Sequence, residues 1–274
     1  MAIPLRKLNE IEKLRIAGKA VAKTLSYLSE NVKSGMTLLD VDKMGEEYLL
    51  SLGAKPSFKG LYGFPNAICT SLNEVIIHGI PTNQVLKDGD ILGIDIGSEV
   101  DGWYGDAAIT IPIGKISKED EELIACSKDA LYYAISIIKD GMRFKELSHA
   151  LEKFITKRGF VPLIRFCGHG IGREPHCDPE IPNYLEGNNA KQGPKIKNGM
   201  VFCLEPMICQ KDEEPAIDKE DKWSVRSRDG LRGSHYEHQV AVVNGKAEIL
   251  TSIWVRLKNN LKKFKKGKKW QKMM

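Results

Sequence analysis

Two aspartates, Asp95 and Asp106, stand within residues 88–106, a stretch that otherwise has the pattern of a half-buried β-hairpin. The dipeptide Asp101-Gly102, between two apolar runs, is a strong signal for a two-residue turn. That turn makes the two aspartates diagonal neighbours on one face, with Cα atoms ~7–8 Å apart. Two carboxylates this close are costly unless a cation or a shared proton lies between them. The hairpin therefore predicts a metal site or a proton-sharing pair.

The second half of the chain repeats this arrangement. The segment NGMVFCLE aligns with DGDILGID at an offset of 110, which puts Glu205 where Asp95 stands. A second hairpin signal, Asn244-Gly245, follows a strand pattern that carries Glu237. If two related halves pack around a twofold axis, all four carboxylates converge on one centre. Such a centre requires metal cations.

Three histidines have settings that favour a role at this centre. His169 lies between glycines in CGHGIG, His176 follows in the proline-braced EPHCDP, and His78 ends the apolar run of NEVIIHGIP. No HExxH pair is present, which excludes a zinc-binding helix of that type. A single histidine is more commonly a hydrogen-bonded core residue, but four nearby carboxylates favour a ligand role.

Oxygen ligands with one imidazole suit divalent Mn, Fe, Co or Zn. Because carboxylates can bridge, two ions ~3.5–4 Å apart would fit such a set. A pair of ions lowers the pKa of a water molecule and makes it a nucleophile near neutral pH. The sequence thus predicts a hydrolase with a dinuclear centre.

Apolar spacing predicts the helices that hold these segments in place. Amphipathic helices are expected over 9–31, 38–52 and 144–158, and another one follows Ser117. Asn9 and Ser117 are the predicted N-terminal caps of the first and third helices.

The helical segments also repeat, at an offset of 106. Gly35 and Gly53 of the first half align with Gly141 and Gly159 of the second half. Such self-similarity predicts a duplicated unit of two helices and a hairpin.

Composition excludes several classes of protein. The chain has 42% hydrophobic and 28% charged residues, which is ordinary for a globular protein. It contains no run of about eighteen apolar residues and no signal-peptide core, so neither a membrane span nor secretion is expected. Six scattered cysteines without CxxC spacing argue against disulfides and zinc knuckles, and they favour a cytoplasmic location.

The net charge of +5 comes from the C-terminal segment, residues 256–274, which holds nine Lys or Arg and no acidic residue. The rest of the chain has 32 basic and 36 acidic residues. We expect residues 1–255 to form one catalytic domain and 256–274 a disordered basic tail. The tail is predicted to bind ribosomal RNA through its phosphates, with an anionic membrane surface as the competing partner.

Five motifs in order resemble those of type I methionine aminopeptidases, which have the pita-bread metallopeptidase fold. They are NEVIIHGIP, the 88–106 hairpin, GHGIG with a histidine seven residues further on, EPM and YEH. The resemblance covers roughly residues 3–255. It implies an α+β fold with a curved, mainly antiparallel sheet, helices on the outer face and an internal pseudo-twofold repeat.

The resemblance also implies the site residues. The ligands of two divalent ions (Co, Mn, Fe or Zn) would be Asp95, Asp106, His169, Glu205 and Glu237, of which Asp106 and Glu237 would bridge both ions. Asp95 would serve one ion, and His169 and Glu205 the other. Glu205 would also be the general base.

The remaining implied residues would bind the substrate. His78 would contact the amine end of the substrate or relay a proton, and His176 would polarise the scissile carbonyl. The methionine side chain is expected near Leu61, Phe64, Cys69 and Trp223.

The implied activity is removal of the initiator methionine from nascent polypeptides by a monomeric enzyme. Type I is favoured because the span from Glu205 to Glu237 leaves no room for the helical insertion of type II, and because the chain begins close to its first helix. Two alternatives stay open. One is a proline-specific peptidase of the same fold, such as prolidase or aminopeptidase P. The other is a non-catalytic pita-bread protein that binds RNA or ribosomes.

Overall fold

The computed structural model describes residues 3–252. The predicted basic tail, 256–274, therefore lies outside the described residues. Within 3–252 the α-helices are α1 (Leu8–Asn31), α2 (Leu38–Ser51), α3 (Lys118–Ile137) and α4 (Phe144–Thr156). The strands in the first half are β1 (Lys55–Pro56), β2 (Ile68–Leu72), β3 (Val75–Ile77), β4 (Ile91–Val100) and β5 (Trp103–Pro112). The later strands are β6 (Val161–Pro162), β7 (Cys167–Gly170), β8 (Cys177–Pro182), β9 (Val201–Leu204), β10 (Met207–Cys209), β11 (Pro215–Ile217), β12 (Val225–Ser227), β13 (Gly233–His235), β14 (His238–Val243) and β15 (Lys246–Ile249).

The helices begin and end within two residues of the predicted bounds. Ser117 caps α3 as predicted, because its side chain accepts a hydrogen bond from the backbone N–H of Asp120. The predicted cap at Asn9 is wrong. Helix α1 begins one residue before Asn9, and Glu10 accepts a hydrogen bond from the backbone N–H of Lys7 at 2.9 Å. The carboxylate three residues after Lys7 therefore takes over the capping of this helix end.

The internal repeat is visible in the backbone. Helices α1 and α3 end 106 residues apart, and α2 and α4 begin 106 residues apart. Gly35 and Gly141 both follow the first helix of their half and adopt φ of 91° and 85°. Only glycine enters this region readily, so the matched pair marks the same helix–helix turn in both halves.

The β4–β5 hairpin has the predicted register. Val100 pairs with Trp103 across the turn, and Asp95 and Asp106 pair with Ala108 and Gly97. Asp101 and Gly102 have φ of 51° and 73°, as a type I′ turn requires. The two aspartates are therefore diagonal neighbours on one face of the hairpin.

The corresponding ladder of the second half is interrupted where its carboxylates lie. Leu204 of β9 pairs with His238 of β14, and Met207 of β10 pairs with His235 of β13. Continuing this register from either side places Glu205 opposite Glu237. Both carboxylates thus lie in the gap between short strands, and the expectation that strands carry them is wrong for this half. Residue 206 is proline, which has no N–H for a continuous ladder.

Every strand pairing among the described residues is antiparallel, and the pairings form four sheets. One sheet contains β4 with β1, β2 and β5, and another has the order β15-β14-β9-β7-β8. The smaller sheets have the orders β13-β10-β6 and β11-β12-β3. No described helix combines the length and apolar character that crossing a membrane demands.

Helix α1 packs directly against the β4–β5 hairpin. A Cβ on Gly105 would lie 2.6 Å from the carbonyl carbon of Ala17, so only glycine permits this approach. The Ser98 hydroxyl donates a hydrogen bond to the Ala17 carbonyl at 3.0 Å. One apolar core lies beneath α1 and α2, and a second lies beneath α3 and α4. The helices thereby hold the strands from behind and leave the carboxylate face free for the site.

Candidate metal centre

One cavity of about 740 Å³ contains all the residues predicted to form the site. Its lining includes Leu61, Phe64, Cys69, His78, Asp95, Asp106, His169, His176, Glu205, Trp223 and Glu237. These residues come from both halves of the chain, so the pseudo-twofold repeat does bring the four carboxylates together.

Backbone contacts between the halves hold the ligand-type side chains in place. The N–H of Glu237 donates to the carbonyl of Ala108 at 2.8 Å, which joins the second half to the residue opposite Asp95. His169 lies on β7, whose Gly170 pairs with Phe202 of β9.

The side chains of this cluster approach one another closely. The Nε2 atom of His169 lies 3.5 Å from Oε1 of Glu205 and 3.9 Å from Oδ2 of Asp106. One potential ligand atom from each of Asp106, His169, Glu237 and Cys203 lies within 4.8 Å of the others. Asp95 and Asp106 are hydrogen-bonded to each other. These separations are short enough for common ligation of a small cation.

The ionised form of the four carboxyl groups is unfavourable in this cluster. Burial raises the pKa of Asp95 to about 7, partly offset by its hydrogen bond to Asp106. The pKa values of Asp106, Glu205 and Glu237 are also raised, by burial first and then by neighbouring carboxylates. One oxygen of each of the four has no hydrogen-bond partner within residues 3–252. A buried carboxylate oxygen without a donor is costly, so the cluster requires a counter-charge.

His169 is in the protonation state that can bind a metal cation. Burial, with a smaller contribution from His176, lowers the pKa of His169 to about 3. The ring is therefore neutral, and a neutral imidazole is the form that binds metal. Four carboxylates and one imidazole match the donor set of divalent first-row ions, and the orphaned oxygens supply the ligand positions.

The substrate side of the cavity is apolar and aromatic. Phe64 and Trp223 make an edge-to-face contact with ring centroids 5.2 Å apart. Cys69 pairs directly across the ladder with Asp95, so this apolar wall adjoins the carboxylates. His78 stands edge-on to Trp223 at 6.5 Å, and His176 contacts the ring of His169 at 4.3 Å. The two histidines thus lie where an apolar side chain and a reacting group would meet.

Sequence reasoning missed two buried residues of the cluster. Cys203 lies within the ligand cluster and is hydrogen-bonded to Glu237. His235 lies 3.7 Å from Glu205 and is 3% exposed. Each stands two residues before a predicted ligand, and alternation along an extended chain puts such residues on the same face. That spacing was the signal that could have found both.

A buried set of carboxylates and a histidine on a duplicated antiparallel fold defines a metal-dependent peptidase. The chain belongs to metallopeptidase family M24, whose model matches residues 12–244, and within it to the methionine aminopeptidases. The methionine aminopeptidase of Helicobacter pylori strain J99 is 61% identical over 252 residues, which cover 92% of this chain and 99% of that protein. These matches confirm the predicted family and the enzyme class, a metal-dependent hydrolase.

Solved structures agree with this assignment. The crystal structure of methionine aminopeptidase from Rickettsia prowazekii has a TM-score of 0.88 and 33% identity, covering 92% of this chain and all of that one. Prolidase from Pyrococcus furiosus has a TM-score of 0.74 at 24% identity and covers 90% of this chain but 65% of that one. The prolidase match shows the fold alone. Together they confirm the predicted pita-bread α+β fold.

Proposed function

We propose that this protein removes the N-terminal methionine from nascent polypeptides, with two divalent ions at the carboxylate cluster. The cavity supports this proposal most directly, because carboxylate oxygens with no hydrogen-bond partner among residues 3–252 lie beside an apolar wall there. Asp95, Asp106, His169, Glu205 and Glu237 would hold the ions. Bound divalent ions would lower the pKa of a water molecule and polarise a carbonyl.

The protein side chains supply the proton transfers. Glu205 would accept the proton of the attacking water, because its carboxyl lies beside His169 and has a raised pKa. His176 would donate a hydrogen bond to the oxyanion that develops on the scissile carbonyl. His78 would contact the substrate amine. Burial, followed by the influence of His176, lowers the pKa of His78 to about 4, which keeps its ring neutral for that contact.

The methionine side chain would lie against the apolar wall. Leu61, Phe64, Cys69 and Trp223 belong to one cluster there, together with Phe58 and Ile80. Thioether sulfur packs favourably against aromatic rings, and two aromatic rings of this wall are already in mutual contact. The wall would thus select an unbranched apolar side chain.

Peptide hydrolysis with defined metals tests the proposal. Metal-stripped protein is assayed on Met-Ala, Met-Lys and Xaa-Pro peptides, with Co, Mn, Fe and Zn added back in turn. Cleavage of Met-Ala that depends on added metal is the expected result. Cleavage of Xaa-Pro alone would establish the proline-specific alternative, and metal binding without any hydrolysis would establish a non-catalytic protein. Calorimetric titration of each ion gives the stoichiometry, expected to be two per chain.

We extend the proposal to location, assembly and the C-terminal segment. Residues 1–255 would act as a monomeric catalytic domain in the cytoplasm, on newly made chains. Residues 256–274 would bind ribosomal RNA, since nine basic residues without an acidic one can neutralise phosphates.

Deletion of residues 256–274 should reduce co-sedimentation with ribosomes about tenfold or more at low salt, while peptide hydrolysis is unchanged. Raising the salt should release the full-length protein as well, because phosphate contacts are screened. Binding that survives the deletion would disprove the role of this segment. Retention on anionic vesicles but not on ribosomes would point to the membrane alternative.

A further inference from the structure

His235 is a buried histidine to which the proposed reaction assigns no role. It ends β13, is 3% exposed and pairs with Met207. Thr110 holds its backbone from both sides: the Thr110 hydroxyl accepts the His235 N–H at 3.0 Å and donates to the His235 carbonyl at 2.9 Å. The base of this side chain is therefore fixed. Its Nε2 atom has no hydrogen-bond partner among residues 3–252.

The carboxyl group of Glu205 lies between two imidazoles. Its Oε1 atom is 3.5 Å from Nε2 of His169, and its Oε2 atom is 3.7 Å from Nε2 of His235. One oxygen thus faces the ligand cluster, and the other faces His235.

A small movement would bring Nε2 of His235 and Oε2 of Glu205 into hydrogen-bond distance. A buried donor without an acceptor costs about 1–3 kcal/mol. A charge-assisted N–H···O bond is about 2.7–2.9 Å long, so an approach of less than ~1 Å is enough to form it. The Nε2 atom already lies within 4 Å of Oε2 of Glu205.

We propose that His235 is a positioning residue, whose Nε2–H donates a hydrogen bond to Oε2 of Glu205 and fixes the plane of that carboxylate. This inference rests on the proposed function, in which Glu205 is both ligand and base. Oε1 would then stay on the side of His169, where it could serve as a metal ligand. A carboxylate oxygen has two acceptor positions, so Oε2 keeps one for the proton of the attacking water. Partners of this kind commonly set the affinity and geometry of metal ligands.

Two polar substitutions that differ in reach test this role. In His235→Gln the amide nitrogen occupies about the position of Nε2, whereas in His235→Asn it stops at about that of Nδ1. We expect His235→Gln to keep both metal affinity and kcat within about threefold of the wild type. His235→Asn should lose about 10–100-fold in one or both, with KM for Met-Ala peptides unchanged. Calorimetric titration of metal-free protein with Mn²⁺ gives the affinity independently of catalysis.

His238→Gln is the matched control. His238 is equally buried but contacts Thr251 at 3.0 Å and Tyr132 at 3.2 Å, away from the cavity. It should lower the melting temperature and leave Mn²⁺ affinity and kcat as in the wild type. Equal effects of His235→Gln and His235→Asn, whether large or absent, would overturn the inference. If the wild type cleaves no Met peptide, the proposed function fails, and the Mn²⁺ affinities still decide the role of His235.

Discussion

Glu205→Gln should lower kcat for Met-peptide hydrolysis by about 10²–10⁴-fold, the usual contribution of a positioned base. Glutamine keeps the shape of the side chain and one oxygen toward His169, but it cannot accept the proton of the attacking water. The apolar wall, which includes Phe64 and Trp223, is untouched, so KM should change little. Steady-state kinetics at saturating metal measure both quantities.

The same substitution should stabilise the metal-free protein. Burial and two neighbouring aspartates raise the pKa of Glu205, which means that its charge is unfavourable in the folded state. A neutral amide is buried without a charge and without the uptake of a proton, so activity and metal-free stability should change in opposite directions. Glu122→Gln, which removes an exposed charge from α3, is the control and should change neither quantity. Turnover retained within tenfold by Glu205→Gln would mean that another group is the base.

The first hairpin was predictable because its signals are local. A turn dipeptide and an apolar alternation are enough to set the register between Asp95 and Asp106, and the structure has that register. The helix bounds followed for the same reason, since apolar spacing and turn glycines lie within each element. The cap at Asn9 was missed because a neighbouring acidic side chain can serve as well.

The second half was harder to predict from the sequence because its strand ladder is interrupted where the carboxylates lie. Pro206 interrupts the ladder, and the carboxylates face each other across a gap that no strand pattern describes. The ligand residues could still be found, since the repeat aligns Glu205 with Asp95. The repeat does not single out His235 and Cys203, and only their spacing of two residues from Glu237 and Glu205 indicates them. Their contacts with Glu205 and Glu237 form within the second half, where β9 and β10 pair with β14 and β13.

Metal-free protein should lose stability as pH rises from about 6.5 to 8. The carboxyl groups of the cluster have raised pKa values, that of Asp95 being about 7. The folded state therefore holds protons that the unfolded chain, with ordinary carboxyl pKa values, has already released. Each such proton contributes a fall of about 1.4 kcal/mol per pH unit while it is retained. If one or two protons are retained over this range, the total loss is about 2–4 kcal/mol.

The buried histidines make the protein less stable as the pH falls. Burial lowers the pKa values of His78, His169 and His235 to between about 3 and 4, so the unfolded chain binds protons below pH ~6.5 that the folded state refuses. Acidification below that point therefore destabilises the protein. Below pH ~6.5 the histidine and carboxyl effects oppose each other, and above it only the carboxyl effect remains, so the metal-free form should be most stable near or just below pH ~6.5.

Bound metal should remove the decline above pH 6.5, because ionised carboxylates are the ligand form and metal binding releases their protons. Stabilisation by metal should then grow with pH. Urea unfolding at several pH values from 5 to 8, with chelator or with saturating Mn²⁺, measures both curves. In metal-free Glu205→Gln the fall of stability with pH should be shallower by up to about 1.4 kcal/mol per pH unit, because one carboxyl group with a raised pKa has been removed. A metal-free wild type that is more stable at pH 8 than at pH 6.5 would contradict the raised pKa values of the carboxyl groups in this cluster.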